Sequence, residues 1–329
     1  ALEVTLTEGA NISPDPARVM DYSHPQKFTV TSEDGNWHKE YSVIIDTFDL
    51  PLRYDFEHYE LNETGKYQVF FEETQGTALF KQYIWASGNS GFALTGVGRN
   101  PQEYPTVSIE NGIDGSRAIK LETKSTGQFG ETVKMPIAAG NLFLGSFDVN
   151  NAVQKPLKAT RFGLPFGKKP LQLKGYYKYT PGTQPFKAKD KNGNTVTIPG
   201  QEDEGDIYAV LYEAAELDGK ALDGNNVLTS ENIVALARVE VEKKDEFTAF
   251  HVDFHYGSRI PIDWPKFIQD QRDPSDDGTA PYLSFSEEKM KNYEYNLAVV
   301  FTSSKYGAYF AGSVGSTLCI DKVEIVCEK

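Results

Sequence analysis

This sequence predicts an all-β fold in two modules, a small antiparallel β-sandwich over residues 1–50 and a large jelly-roll β-sandwich over residues 51–329. Three observations predict it. Apolar and polar residues alternate with the period of two that marks a half-buried strand. Gly, Pro, Asn and Asp clusters interrupt the runs, as turns require. Helical periodicity is confined to one short stretch, so no helices are available to link parallel strands.

The elements follow in order. Leu2, Val4 and Leu6 alternate with polar residues, as do Phe28 and Val30, then Tyr41, Val43 and Ile45. Ser13-Pro14-Asp15-Pro16 and Glu33-Asp34-Gly35-Asn36 are turns between them. The small sandwich ends near Thr47, and Leu50-Pro51-Leu52 reads as a stiff connector. From Tyr54 onward the clearest strands are 171–179, 207–213, 233–241, 248–256, 295–302 and 317–326. A helix of about two turns is expected over 286–292. The polar insertions 184–205 and 262–281 are expected to be loops over one end of the sandwich.

Composition narrows the partners. A formal charge of −14 repels nucleic-acid phosphates and anionic membranes, which leaves neutral hydroxyl-rich polymers as the better ligands. With 39% hydrophobic residues, 18 Tyr and 20 Phe, the chain can fill a core without disulfide staples. No apolar run approaches the roughly 20 residues that span a bilayer. No signal segment stands ahead of Ala1, so the chain is either cytosolic or processed. Cys319 and Cys327 share one predicted strand, about 26 Å apart at about 3.3 Å per residue. They are too distant to form a disulfide with each other.

Two stretches carry a resemblance. Residues 11–45, with Ile12, Pro14, Asp21-Tyr22-Ser23, Pro25, Phe28-Thr29-Val30-Thr31, Glu33-Asp34-Gly35 and Tyr41-Ser42-Val43, resemble the immunoglobulin-like leader module of gut-bacterial surface lipoproteins. The larger part resembles the carbohydrate-metabolism domain family. It does so through Trp85-Ala86-Ser87-Gly88-Asn89, Ala139-Gly140-Asn141-Leu142-Phe143, Phe162-Gly163-Leu164-Pro165-Phe166, Leu173-Lys174-Gly175-Tyr176-Tyr177-Lys178-Tyr179 and 312–321. The resemblance implies an immunoglobulin-like sandwich followed by a jelly roll similar to carbohydrate-binding modules. It also implies export to the cell surface or periplasm, with a lipid anchor upstream of Ala1. The chain is expected to act as a monomer.

Strand alternation supplies the first candidate surface. Gln172, Lys174, Tyr176 and Lys178 share one face of their strand, and His251, Asp253 and His255 share one face of another. Rings and charged hydrogen-bonding groups side by side suit an oligosaccharide, whereas the bland alternative is a solvated sheet face. Loop aromatics supply the second: Trp264 and Tyr282 as a stacking platform, and Trp85 with Asn89 in a Gly/Ser/Asn loop, where a core plug is the competing expectation. Trp37 is expected in the small module's core or at a module interface.

Acidic residues raise two further expectations. Glycoside hydrolysis needs two carboxyl groups, and Asp253 and Glu213 are candidates because they lie within strands. Glu202-Asp203-Glu204-x-Asp206 is the densest acidic run and reads as a solvated loop. His251-x-Asp253-x-His255 has a metal-ligand alternation for zinc or iron, without a third histidine nearby. Asp55, Glu57 and Asp321, on first and last strands that pair in a sandwich, are candidate ligands of a structural calcium ion.

No phosphate-binding glycine loop and no Gly-x-Ser-x-Gly elbow is present, which demotes nucleotide chemistry and acyl transfer. The leading expectation is an exported carbohydrate-binding accessory protein for glycan capture or utilisation. Its rivals are a glycoside hydrolase or lyase with paired carboxylates, and a structural surface or adhesion protein.

Overall fold

The computed structural model describes residues 4–18, 26–43, 49–74, 80–214, 217, 221–272 and 278–329. The chain divides into two compact units, Ala1–Asp49 and Leu50–Lys329. It is an all-β, sandwich-like protein.

The described part of the small unit is an antiparallel three-stranded sheet of Asn11–Ser13, Gln26–Thr31 and His38–Val43, in that order. Register places Ile12 opposite Val30, and Phe28 opposite Tyr41. Phe28 is buried, while Trp37 and Tyr41 are exposed, so Trp37 is not in the small module's core, the first of the two places expected for it. The turn between the last two strands is set by Asp34, whose carboxylate accepts from Ser32 Oγ and the Asn36 amide, and by Gly35 at φ 69°. Residues 4–6 lie outside any strand, and Leu2, Ile45 and Thr47 fall outside the described residues.

The large unit stacks two antiparallel sheets. The first runs Thr106–Ile109, Ala118–Glu122, Thr317–Cys327, Pro170–Thr180, Lys244–Asp253, with Arg53–Tyr54 alongside Thr317–Cys327. The second runs Thr160–Phe162, Asn141–Phe147, Tyr295–Thr302, Asp206–Glu213, Ile233–Val239, His255–Tyr256, joined by Trp85–Ala86 and Leu164–Pro165. Leu173, Tyr177 and Ile320 from the first sheet meet Leu142, Ile207 and Phe301 from the second in one core. Fully burying each aliphatic or phenyl side chain contributes about 1.5–3 kcal/mol.

Thr317–Cys327 buries Leu318 and Ile320 and then Val323 and Ile325, so its apolar residues change parity midway. A bulge causes the change. Tyr176 pairs with Asp321 but Lys174 with Glu324, and Lys322 sits at φ 45°. The predicted strand 248–256 also breaks. At Phe254 the chain leaves the first sheet, and His255 pairs with Leu236 in the second. Leu50, expected in a connector, is a core residue, and the Leu52 carbonyl accepts from the Ile325 amide.

Asp206–Glu213 is buried along its whole length because the second sheet is covered on both faces. Phe143, Tyr208, Val210 and Val300 on its outer face pack against Leu222, Val227 and Leu228, with Trp264 and Ile262 beside them. The described start of the 262–281 insertion therefore lies over a sheet face, with a helix Lys266–Gln269 inside it. The expected helix is present as Glu287–Lys291, capped by Ser286 Oγ accepting from the Lys289 amide. Further short helices, Asn89–Ala93 and Gly127–Thr132, were not expected.

Candidate functional site

The outer face of the second sheet and the loops over it enclose a cavity of ≈ 200 Å³. Phe143, Tyr208 and Val300 form its floor, and Trp264, Tyr309, Phe310 and Phe129 contribute rings to its walls. Phe129 is exposed at its edge. Trp264 is positioned by Arg272, whose guanidinium lies 4.2 Å from the ring centroid and donates to Tyr309 Oη at 2.8 Å. Phe310 follows the single turn Gly307–Tyr309 at φ 57°, a left-handed conformation that a bulky residue rarely adopts.

Asp206 is the one carboxylate lining the cavity among the described residues. Arg238 holds it with two hydrogen bonds, Nε to Oδ1 at 3.0 Å and Nη2 to Oδ2 at 2.6 Å. Burial works to lower the Arg238 pKa, but the Asp206 charge and hydrogen bonds outweigh it and hold the guanidinium above its ordinary value.

The wall segment 304–310 is fastened from behind by Asp203, which is 2% exposed. Its Oδ2 accepts from Ser304 Oγ at 2.6 Å, Ser316 Oγ at 2.7 Å and the Ser313 amide at 2.8 Å, and its Oδ1 from the Glu204 amide at 3.0 Å. Burial pushes its carboxyl up to about 6 against these bonds. The acidic run expected to be solvated thus contains two buried structural carboxylates.

The predicted residues divide between several places. Lys174, Tyr176, His251 and Asp253 do share the outer face of the first sheet, with Lys174 opposite His251 and Gln172 Nε2 donating to Asp253 Oδ1 at 2.6 Å. His255 belongs to the other sheet and bonds Ser258 Oγ instead. Trp264 lines the cavity. Its proposed neighbour Tyr282 is no platform, being buried with Arg259 4.9 Å from its ring centroid. Trp85 is no exposed platform either: it packs on Tyr54, Phe56 and Phe301 in the core. Asn89, fully buried, bonds both backbone groups of Thr106 and ties its helix to the first sheet.

Glu213 is buried and paired with Lys289, whose pKa that hydrogen bond raises. It and Asp253 come from different sheets and do not line the cavity. Asp321 accepts from the Ile113 and Lys322 amides and Ser116 Oγ, and Glu57 accepts from the Arg117 amide, while Asp55 is exposed. Among the described residues no group of three or more His, Cys, Asp or Glu side chains is placed to hold a metal ion.

One carboxyl outside the cavity is held above the ordinary carboxylate range. Glu72, half-buried, accepts from Trp85 Nε1 at 2.7 Å. Burial first, and the nearby Asp55 charge in addition, push it up to about 7 against that bond.

These features define a two-unit β-sandwich protein with an aromatic cavity on one sheet face. Residues 55–326 match the family described as "Putative carbohydrate metabolism domain", and residues 1–45 match "SGBP, N-terminal". The chain belongs to the carbohydrate metabolism domain family and has a carbohydrate-related role. A solved structure from Bacteroides thetaiotaomicron, titled a putative glycoside hydrolase, is 41% identical with TM-score 0.73 and covers 99% of this chain and 85% of its own. A second, from Bacteroides vulgatus with the same description, is 34% identical with TM-score 0.67, covering 86% of this chain and 100% of its own. No curated protein matches the chain. No helix among the described residues is long and apolar enough to cross a membrane.

Proposed function

We propose that this chain is an exported carbohydrate-binding protein that captures glycan in the cavity on the second sheet. One observation carries the choice of binding over hydrolysis. The cavity has aromatic walls and a single described carboxylate, Asp206, which Arg238 neutralises, whereas a glycosidase needs two carboxyl groups about 5–9.5 Å apart. Aromatic rings on the segments that wall the cavity suit pyranose stacking. The match of residues 1–45 to a surface glycan-binding N-terminal module supports export and surface display.

The test is calorimetric titration with a panel of oligosaccharides, run beside a reducing-sugar release assay. Saturable binding without release is expected. Trp264→Ala should weaken it about 30-fold, the cost of truncating a central aromatic anchor by about 2 kcal/mol. Unchanged affinity in that variant would overturn the site.

A second reading rests on Glu72 and Asp55, a protonatable carboxyl beside a second carboxylate. It predicts sugar release that Glu72→Gln abolishes. Release that survives Glu72→Gln would remove it.

A further inference from the structure

We infer that the cavity receives an apolar substituent of the glycan, such as an aryl or short acyl group, and does not enclose a bare sugar ring. The inference rests on the glycan-binding reading of this cavity and specifies the ligand. A pyranose presents hydroxyls on every side, and a pocket that enclosed one would need polar groups free to meet them. Here most of the polar side chains of the lining are already engaged by the protein.

Thr95 Oγ1 donates to the Phe92 carbonyl, and Thr126 Oγ1 to the Met135 carbonyl. Asn141 accepts from the Gly88 amide and donates to the Ala139 carbonyl, and Asn225 is turned back onto Asp223. Thr302 donates to the Ser304 carbonyl and Ser304 to Asp203. The charges are treated in the same way: Asp206 faces Arg238, Lys305 faces Glu204 at 2.8 Å, and Arg272 bonds Tyr309 and Thr229. What remains toward the interior is apolar: Phe92, Met135, Phe143, Leu157, Val227 and Val300.

Thr160 departs from the pattern. Its Oγ1 is buried and has no hydrogen-bond partner among the described residues. It belongs to the lining of the cavity. A buried hydroxyl without a partner is costly unless a ligand or water meets it. An ester carbonyl, a phenolic oxygen or the glycosidic oxygen of an aryl glycoside would meet it while the apolar remainder fills the space. The sugar itself would then lie at the mouth, against Phe129 and Trp264.

The experiment compares phenyl and methyl glycosides of glucose, galactose, mannose and xylose, with phenol alone as a further probe, by calorimetric titration of the full chain. The phenyl member of whichever pair binds should be tighter by about tenfold or more, given what burying an apolar ring contributes. Ala138→Leu, which fills the cavity from its lining, should abolish that preference in protein shown by its melting transition to be folded. Thr160→Val should weaken the phenyl member about three- to tenfold, the range for one lost hydrogen bond. Equal affinity for phenyl and methyl members overturns the inference and leaves glycan binding standing. Binding of phenol without any glycoside supports the apolar cavity but overturns the proposed function. Binding of neither overturns both.

Discussion

Asp203→Asn should remove a specific pH dependence from the stability of this protein. The carboxyl lies 2% exposed, and burial raises it from an ordinary 3.8 to about 6. A raised acid binds its proton more tightly in the folded chain. Its contribution is therefore fully present below pH 3.8 and is lost as pH rises through about 6. The gap is about two pH units, which at about 1.36 kcal/mol per unit is about 3 kcal/mol. Asparagine cannot titrate, and it sets one amide group against a backbone donor, either Glu204 N or Ser313 N. The variant should thus be destabilised throughout, by about 1–3 kcal/mol from that conflict at pH 7.5. The difference from the parent should widen by about 3 kcal/mol at pH 4, or about 6 °C at about 2 °C per kcal/mol for a large domain. Calorimetry of both proteins from pH 4 to 7.5 measures it. A difference that stays constant or narrows at pH 4 would show that the four hydrogen-bond donors, and not burial, dominate at this carboxyl.

Other consequences are simpler to state. Lys289→Met leaves Glu213 buried without its cation and should cost about 3 kcal/mol in urea unfolding; a loss under about 0.5 kcal/mol would contradict the pairing. Arg238→Met strands Asp206 in the same way and should cost about 3–5 kcal/mol, with Arg238→Lys recovering only part because it loses the two-point contact. Gly140→Ala should be among the more damaging small changes. Its Cβ would lie 2.3 Å from the Glu122 nitrogen and 2.4 Å from the Pro105 oxygen, backbone atoms that cannot move aside, so about 3 kcal/mol or more is expected by thermal unfolding.

Strand alternation was enough to find the long strands of both sheets, because each shows its core one face at a time. Pro170–Thr180 is the clearest case, with Leu173, Tyr177 and Tyr179 inward and Lys174, Tyr176 and Lys178 outward. Asp206–Glu213 held a further signal. Tyr208, Val210 and Tyr212 interleave with Ile207, Ala209 and Leu211, and apolar residues on both faces announce a sheet covered on both sides. That signal marks the face where the cavity lies.

Direction and distant partners were not legible. Trp85 and Asn89 sit in a loop-like sequence, yet tertiary packing turns both inward, while Trp264 in an equally polar context reaches the cavity. Asp203 is buried by Ser304, Ser313 and Ser316, about a hundred residues downstream, and no local pattern could show it. Asn89–Ala93 and Gly127–Thr132 are too short for helical periodicity and owe their shape to packing.

Two surfaces are candidates for the proposed glycan ligand: the cavity of the second sheet, and the outer face of the first, where Tyr176 and His251 stand. A crystal structure of the chain soaked with its tightest oligosaccharide decides between them. The account predicts ligand density against Trp264 and Phe129 with its apolar end toward Thr160. Density along Tyr176, Lys174 and His251 with an empty cavity would contradict it.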